Sequence, residues 1–343
     1  MKKRLLSIII LVSFMFSAAV MNVSAETVKP SHLLILGDSI STGYGLPGDK
    51  ATSKSFGNLL AKSFGLTNQS YTNLAVNGAT SQDLLSVVSA NTKSVASADT
   101  IMISIGGNDF LGVIFSNIKA ALGLPVGATI SQLELAFLSN SNAASLIAIQ
   151  LQKAEVQAQF AAAQTNFIKN TSEIITAIKA ANPTAKLYIQ TIYNPFDGVP
   201  YLANYVSSID PVALSLNTAI EKGAAAGNYS VIDTYSAFKG KALTMTNISS
   251  FDIHPNEAGH NAIFNMAYTA ITGVKYTAPK PPVTKPTAPA PAKPSTSAAA
   301  KPVSTDKVIN PATGSNTEIP IAVTAVAVTF SCVGIAAFRK KSY

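Results

Sequence analysis

The sequence predicts an α/β fold, a three-layer α/β/α domain built on a central parallel five-stranded sheet, and three observations carry that prediction. Between Pro30 and Lys275, five short apolar runs alternate with helical stretches, the pattern of strands joined by helical crossovers. Both ends of the chain carry segments of other kinds, which leaves about 245 residues, ample for a buried core. The single cysteine, Cys332, lies outside that stretch, so the domain folds on packing alone, with neither disulfide nor thiolate metal site.

In chain order, the first candidate strand is Leu33 to Leu36 and the helix Phe56 to Phe64 follows it. Tyr71 to Val76 is the second strand, followed by a helix from Ser81 to Val88, and Thr100 to Ile105 is the third. Residues 112–142 are apolar but poorly periodic, with Leu124-Pro125-Val126-Gly127 as a breaker. They read either as an insertion that shapes an acyl pocket or lid, or as plain helix packing. A long Ala/Gln-rich helix from about Ala143 to Ala181 leads to the fourth strand, Lys186 to Ile192. The helix Pro211 to Ala226, the strand Tyr229 to Ile232 and the helix Glu257 to Ile271 complete the domain at 31–275. In such sheets, sites form outside the carboxyl ends of the strands.

The ends read as export and anchoring signals. Met1-Lys2-Lys3-Arg4, an apolar run from Leu5 to about Met21 and Val23-Ser24-Ala25 have the three parts of a signal peptide over residues 1–25, with cleavage expected after Ala25. An uncleaved anchor is the alternative, disfavoured because the run falls short of the ~20 residues of a spanning helix. Residues 276–309 are mostly Pro, Ala, Thr, Ser and Lys, a composition that favours extended polyproline II and suits a wall-spanning linker. Asn310-Pro311-Ala312-Thr313-Gly314 then precedes an apolar span, 319–338, and the basic tail Arg339-Lys340-Lys341. The segment 310–343 resembles the cell-wall sorting signals of Gram-positive bacteria, in an NPxTG variant. That resemblance implies a sortase that cuts between Thr313 and Gly314 and joins Thr313 to peptidoglycan. A plain C-terminal membrane anchor is the alternative, and it leaves the domain on the same surface.

The net charge of +8 sits mainly in these ends. Residues 26–275 carry fourteen Lys, fifteen acidic residues and no Arg. A nearly neutral domain without Arg lacks the basic footprint of a nucleic-acid binder, and that class is excluded.

Chemistry concentrates at the predicted strand ends. The first strand runs into Gly37-Asp38-Ser39-Ile40-Ser41-Thr42-Gly43-Tyr44-Gly45, where glycines let the backbone turn and a serine can expose its hydroxyl and its N–H. Alone, Gly-Asp-Ser is also ordinary turn chemistry. Asn77-Gly78-Ala79 follows the second strand, Gly106-Gly107-Asn108-Asp109 the third, and Asp252-Ile253-His254-Pro255-Asn256 lies near the end of the domain.

These four blocks, in this order, resemble those of the SGNH/GDSL hydrolase family over about residues 31–272. The resemblance implies that fold, an acyl-serine mechanism without cofactor or metal, and ester substrates. By the same likeness Ser39 is the nucleophile, His254 the general base, and the oxyanion hole consists of the Ser39 N–H, Gly78 and Asn108. The family places its aspartate three residues before the histidine, where this chain has Phe251. Asp252 lies two before; residues two apart in extended chain point to one side, so Asp252 is the expected orienter of His254, with a backbone carbonyl near Ser249 or Ser250 as the alternative.

Histidine scarcity points the same way, because histidine is the usual general base near neutral pH. The domain has three: His32, His254 and His260. His32, before the first strand, reads as a surface residue, and His260 as solvated or supporting. His254 precedes a proline, which keeps it in extended backbone. Asp38 and Asp109 read as caps of turns or helices. Ser116-Asn117-Ile118-Lys119 fits a Ser-x-x-Lys pattern without partner motifs and reads as chance. No His/Asp/Glu cluster has metal-ligand spacing.

The expected activity is therefore hydrolysis of carboxylic esters, by an esterase, lipase or lysophospholipase-like enzyme on small-molecule or lipid substrates. A deacetylase of O-acetylated wall polysaccharide and a non-catalytic surface adhesin on the same fold are the rivals.

Overall fold

The computed structural model describes residues 29–48, 53–200, 203–250 and 252–278, without the side chains of residues 130 and 203–208. The expected signal peptide, the sorting signal with its span 319–338, and all but the first three linker residues lie outside the described residues. Among those described, no helix is long and apolar enough to cross a membrane.

Five parallel strands form one sheet in the order β2-β1-β3-β4-β5: β1 (Leu33–Gly37), β2 (Tyr71–Asn73), β3 (Thr100–Ser104), β4 (Lys186–Gln190) and β5 (Ser230–Ile232). Every residue of β1 and β3 is buried, as expected of parallel strands covered on both faces. Their side chains alternate between two cores. Leu34, Leu36, Ile101, Ile103, Leu187 and Ile189 face one; Leu33, Ile35, Met102, Tyr188 and Ile232 face the other. Burial of each large aliphatic side chain contributes about 1.5–3 kcal/mol.

The first core is closed by α3 (Ser81–Ala90), α4 (Thr92–Ser97), α5 (Gly107–Ala121), α7 (Ala143–Leu151), α8 (Ala154–Ala181) and α9 (Ala203–Ala225), which supply Leu84, Val95, Ile114, Ile147, Phe167 and Leu216. The second is closed by α2 (Phe56–Phe64), the short α10 (Thr234–Phe238) and α12 (Glu257–Thr272), through Phe56, Leu60, Phe238, Ile263 and Phe264. Two more short helices, α1 (Ser39–Thr42) and α11 (Ala242–Met245), lie at loops, and α6 (Ile130–Ser139) precedes α7.

The structure refines the sequence reading at several places, and β2 and β4 end sooner than expected, at Asn73 and Gln190. The long helix expected over 143–181 is two, α7 and α8, broken where Lys153 takes extended backbone (φ −63°, ψ 144°). Buried Leu151 and Val156 flank the break, so the apolar pattern runs through it, and Gln157 caps the Leu151 carbonyl at 2.7 Å. Helix α9 begins eight residues before Pro211 and keeps the proline inside, although proline is favoured at a helix start. Residues 112–142, for which plain helix packing was one of the two readings, are helical over most of their length, in α5 and α6. Tyr276, read as the start of the linker, packs edge-on against Phe264 and Tyr268 at 4.7 and 5.1 Å and so belongs to the folded body.

The strand order places β1 between β2 and β3, so the chain leaves β1 in opposite directions to reach its neighbours. A crevice opens at such a switch point, outside the carboxyl ends. In the parallel ladder Leu36 lies beside Ile103 and Gly37 beside Ser104, which brings the loops after β1 and β3 out side by side.

Candidate active site

The turn after β1 is built by its glycines and by Asp38. Gly37 has φ +124°, and a Cβ there would overlap the Ser104 carbonyl; β1 and β3 pass too closely for any side chain. Asp38 caps α1 by accepting the Ile40 N–H at 3.0 Å. Ser39 is the first residue of α1, and an N–H at that position has no acceptor within its helix. Beneath it runs a buried chain of polar groups: Asp38 Oδ1 to Ser104 Oγ at 2.8 Å, Ser104 Oγ to Ser41 Oγ at 2.7 Å, and Ser41 Oγ to the Leu36 carbonyl at 2.9 Å. Burial pushes the Asp38 carboxyl up to about 6, against the hydrogen bonds from Ser104 and Ile40 and the nearby His254.

Gly78 sits in the loop after β2, in a turn closed by the Ala79 N–H on the Val76 carbonyl at 3.1 Å. Its φ of +77° is the left-handed conformation that favours glycine at this turn position. Asn108 lies in the first turn of α5 and donates to the Ala79 carbonyl at 2.9 Å. A side-chain amide has two hydrogens, so the second remains for another acceptor. Asp109 accepts the Ser81 N–H at 2.9 Å and its hydroxyl at 2.5 Å, tying the start of α5 to that of α3. The Thr42 hydroxyl donates to Asn77 Oδ1 at 2.6 Å. These bonds join the first block to the second, and the second to the third.

His254 arrives from the other side of the chain, 215 positions after Ser39, with Nε2 2.8 Å from Ser39 Oγ. Its Nδ1 lies 2.5 Å from Asp252 Oδ1, and the same oxygen accepts the His254 backbone N–H at 3.0 Å. The Asp252 carboxylate, rather than a backbone carbonyl, therefore meets Nδ1, and it does so through a tight Asx turn. Burial alone would raise this carboxyl; the hydrogen bond and charge of His254, with help from Asn247, hold it below the usual aspartate value. Both side chains remain reachable by solvent, at 14% and 16% exposure.

Three neighbours that the sequence reading did not single out support this loop. Asn247 donates to the Gly45 carbonyl at 2.8 Å and reaches Asp252 Oδ2 at 3.4 Å, while its own N–H holds the His254 carbonyl at 3.0 Å. The Tyr193 hydroxyl donates to the Ile253 carbonyl at 2.7 Å. Tyr44 lies against the imidazole, ring centroids 4.7 Å apart and planes tilted by 55°. The two glycines beside Tyr44 were its one sequence signal; Asn247 had none.

The remaining sequence-level candidates fall outside the site. His32 is exposed. His260 is fully buried, which corrects the solvated alternative: its Nδ1 accepts the Phe56 N–H at 3.4 Å, and burial pushes it down to about 4. Ser116 and Lys119 each bond a backbone carbonyl, those of Val113 and Val126. Grooves of about 460 and 730 Å³ run between α8 and α9, and neither is lined by Ser39 or His254. Thr313 and Gly314 lie outside the described residues. Among those described, no three His, Cys, Asp or Glu are grouped as metal ligands.

The arrangement can pass a proton from a serine hydroxyl to an imidazole whose far nitrogen is held by a carboxylate. The chain is 23% identical over 251 residues to an uncharacterized protein, YpmR, of Bacillus subtilis (strain 168), covering 72% of this chain and 84% of that one. Among solved structures it is similar to the lipase Lip_vut3 from a goat rumen metagenome, with 20% identity and a TM-score of 0.47 over 70% of this chain and 96% of that one. An extracellular lipase from Streptomyces rimosus gives 21% identity and a TM-score of 0.46 over 71% and 99%. Residues 35–262 match the GDSL-like lipase/acylhydrolase family, and the chain belongs to it.

Proposed function

We propose that this protein is a serine hydrolase of carboxylic esters that works through an acyl-serine intermediate. The observation that carries the reading is the unbroken chain from Asp252 through His254 to Ser39, with contacts of 2.5 and 2.8 Å. As Ser39 Oγ bonds to the ester carbonyl carbon, its proton passes to His254 Nε2, and the carbonyl oxygen takes the negative charge. The Ser39 N–H, Gly78 N–H and free Asn108 amide hydrogen stabilise that oxyanion. The carbon–oxygen bond to the alcohol breaks, and His254 returns the proton to the departing oxygen. Water then gives a proton to His254 and bonds to the acyl carbon; the bond to Ser39 breaks, the proton goes back to Ser39 Oγ, and the acid leaves.

Incubation of the full chain with short aryl esters tests this. Ser39→Ala is expected to lower kcat by about 10⁴- to 10⁶-fold and Asn108→Ala by about 10²- to 10³-fold, with both variants folded. Equal rates for wild type and Ser39→Ala exclude the mechanism, and no activity in either favours the adhesin.

The protein is further proposed to be exported and joined to peptidoglycan at Thr313 by a sortase, after cleavage before Gly314. The motif, the apolar span and the basic tail support this, and Thr313→Ala is expected to leave the protein out of a purified wall fraction. Wall anchoring in turn favours a second reading, deacetylation of acetylated glycans, which a comparison of such glycans with aryl and lipid esters separates from lipid hydrolysis.

A further inference from the structure

The two helical layers approach Ser39 from opposite faces of the sheet. Asn108 and Gly78 belong to the side of α3 and α5, whose apolar residues fill the first core. His254 precedes α12, which fills the second. If the carbonyl oxygen turns toward Asn108 and Gly78, the departing alcohol lies on the His254 side, because its oxygen must receive the proton from Nε2. One aromatic neighbour on that side is Tyr44, partly exposed and 4.7 Å from the imidazole.

Tyr44 is held there by the bonds that shape the serine turn itself. Its N–H donates to the Ser39 carbonyl at 3.0 Å and to Thr42 Oγ1 at 3.2 Å. Gly43 and Gly45 on either side have φ of +82° and +90°. A Cβ on Gly45 would lie 2.8 Å from His254 Cβ and 2.9 Å from Asn247 Nδ2, so the backbone beside Tyr44 runs directly against the segment that carries the base. The Tyr44 backbone is thus held against both parts of the site with its ring beside the imidazole, and an aromatic face held in place rewards a flat partner over a flexible one of equal size.

We propose that Tyr44 is a specificity-determining residue for the alcohol half of the ester, a platform for alcohols that carry a ring. This rests on the ester-hydrolase reading above. Aryl alcohols and pyranoses share the required chemistry, a rigid face that can lie on the phenol ring.

The test holds the acyl group constant. The full chain, Tyr44→Leu and Tyr44→Phe are assayed on ethyl, hexyl and benzyl acetate and on a methyl pyranoside acetylated at its primary hydroxyl. Each rate is divided by the wild-type rate on the same ester, so intrinsic reactivity cancels. Tyr44→Leu is expected to lower kcat/KM on a ring-bearing acetate by about 2- to 10-fold more than on ethyl or hexyl acetate, whereas Tyr44→Phe keeps the wild-type preference. A loss confined to the benzyl or to the pyranosyl ester identifies the ring. An equal loss on all four esters, which marks Tyr44 as mere support for His254, overturns the proposal, and so does a loss that follows alcohol length or appears equally in Tyr44→Phe. Should Tyr44→Leu not fold, wild-type inhibition by benzyl alcohol against hexanol decides: tighter benzyl alcohol supports the platform, and equal inhibition overturns it. A wild-type chain that turns over none of the acetates instead overturns the underlying reading, and this inference with it.

Discussion

Asn247 shows how much of the site's geometry depends on groups other than Ser39, His254 and Asp252. Its amide bridges the Gly45 carbonyl and the Asp252 carboxylate, and its main chain holds the His254 carbonyl, so one side chain fixes both the serine turn and the acid–base loop. Asn247→Asp removes the donor and sets a second negative charge beside Asp252. A like charge raises a carboxyl pKa, so the acidic limb of the kcat profile is expected to move to higher pH, with a loss of about 10-fold at neutral pH. Rates measured from pH 4 to 8 check this; a uniform loss with an unmoved limb would show that Asn247 only supports the fold. Ser39, Gly78 and Asn108 were legible as candidates because each stands in a short local pattern after a predicted strand, and His254 because it precedes a proline in a domain with three histidines. Asn247 was not, because its role arises only when loops about 200 positions apart meet. Asp252 lay between these cases: its reach to His254 was readable, but the Asx turn that delivers it was not.

At the scale of elements, the turn from Gly43 to Gly45 is a close junction between the first and last parts of the site. Gly45→Ala is expected to destabilise the protein by about 1–3 kcal/mol and to displace His254, because the new methyl group meets its Cβ. Gly48→Ala is the internal control: φ is +57° and nothing lies within 4 Å of the added carbon, so its cost is about 1 kcal/mol of backbone strain and activity is retained. Urea midpoints and kcat of the two variants separate steric displacement from strain. Most elements could be read in advance, since β1 and β3 are wholly buried, β4 is buried but for Lys186, and α2 spans the predicted residues Phe56–Phe64. The break between α7 and α8 and the early start of α9 could not. The first is set by a single extended residue within a continuous apolar pattern, and the second involves an exposed proline that stands inside a helix rather than at its start.

Across the whole molecule, two buried groups oppose each other in their response to pH. Burial raises Asp38 from 3.8 to about 6, so its contribution favours the folded state at low pH and is lost as pH rises through 6. Burial lowers His260 from 6.5 to about 4, so its contribution is complete above 6.5 and is lost as pH falls through 4. Each shift corresponds to about 3 kcal/mol, and between pH 4 and 6.5 the two nearly cancel. His260→Phe is expected to leave a stability that falls as pH rises across this range, and Asp38→Asn one that climbs; urea midpoints at pH 4, 5 and 6.5 report both, and parallel slopes in the two variants would refute the assignment. The span of 215 residues between hydroxyl and imidazole has a further consequence for biosynthesis. A ribosome delivers Ser39 early and His254 only after most of the domain has been made, so a chain that stops between them lacks the proposed base. On the reading proposed above, activity therefore waits until nearly the entire domain has been made and closed.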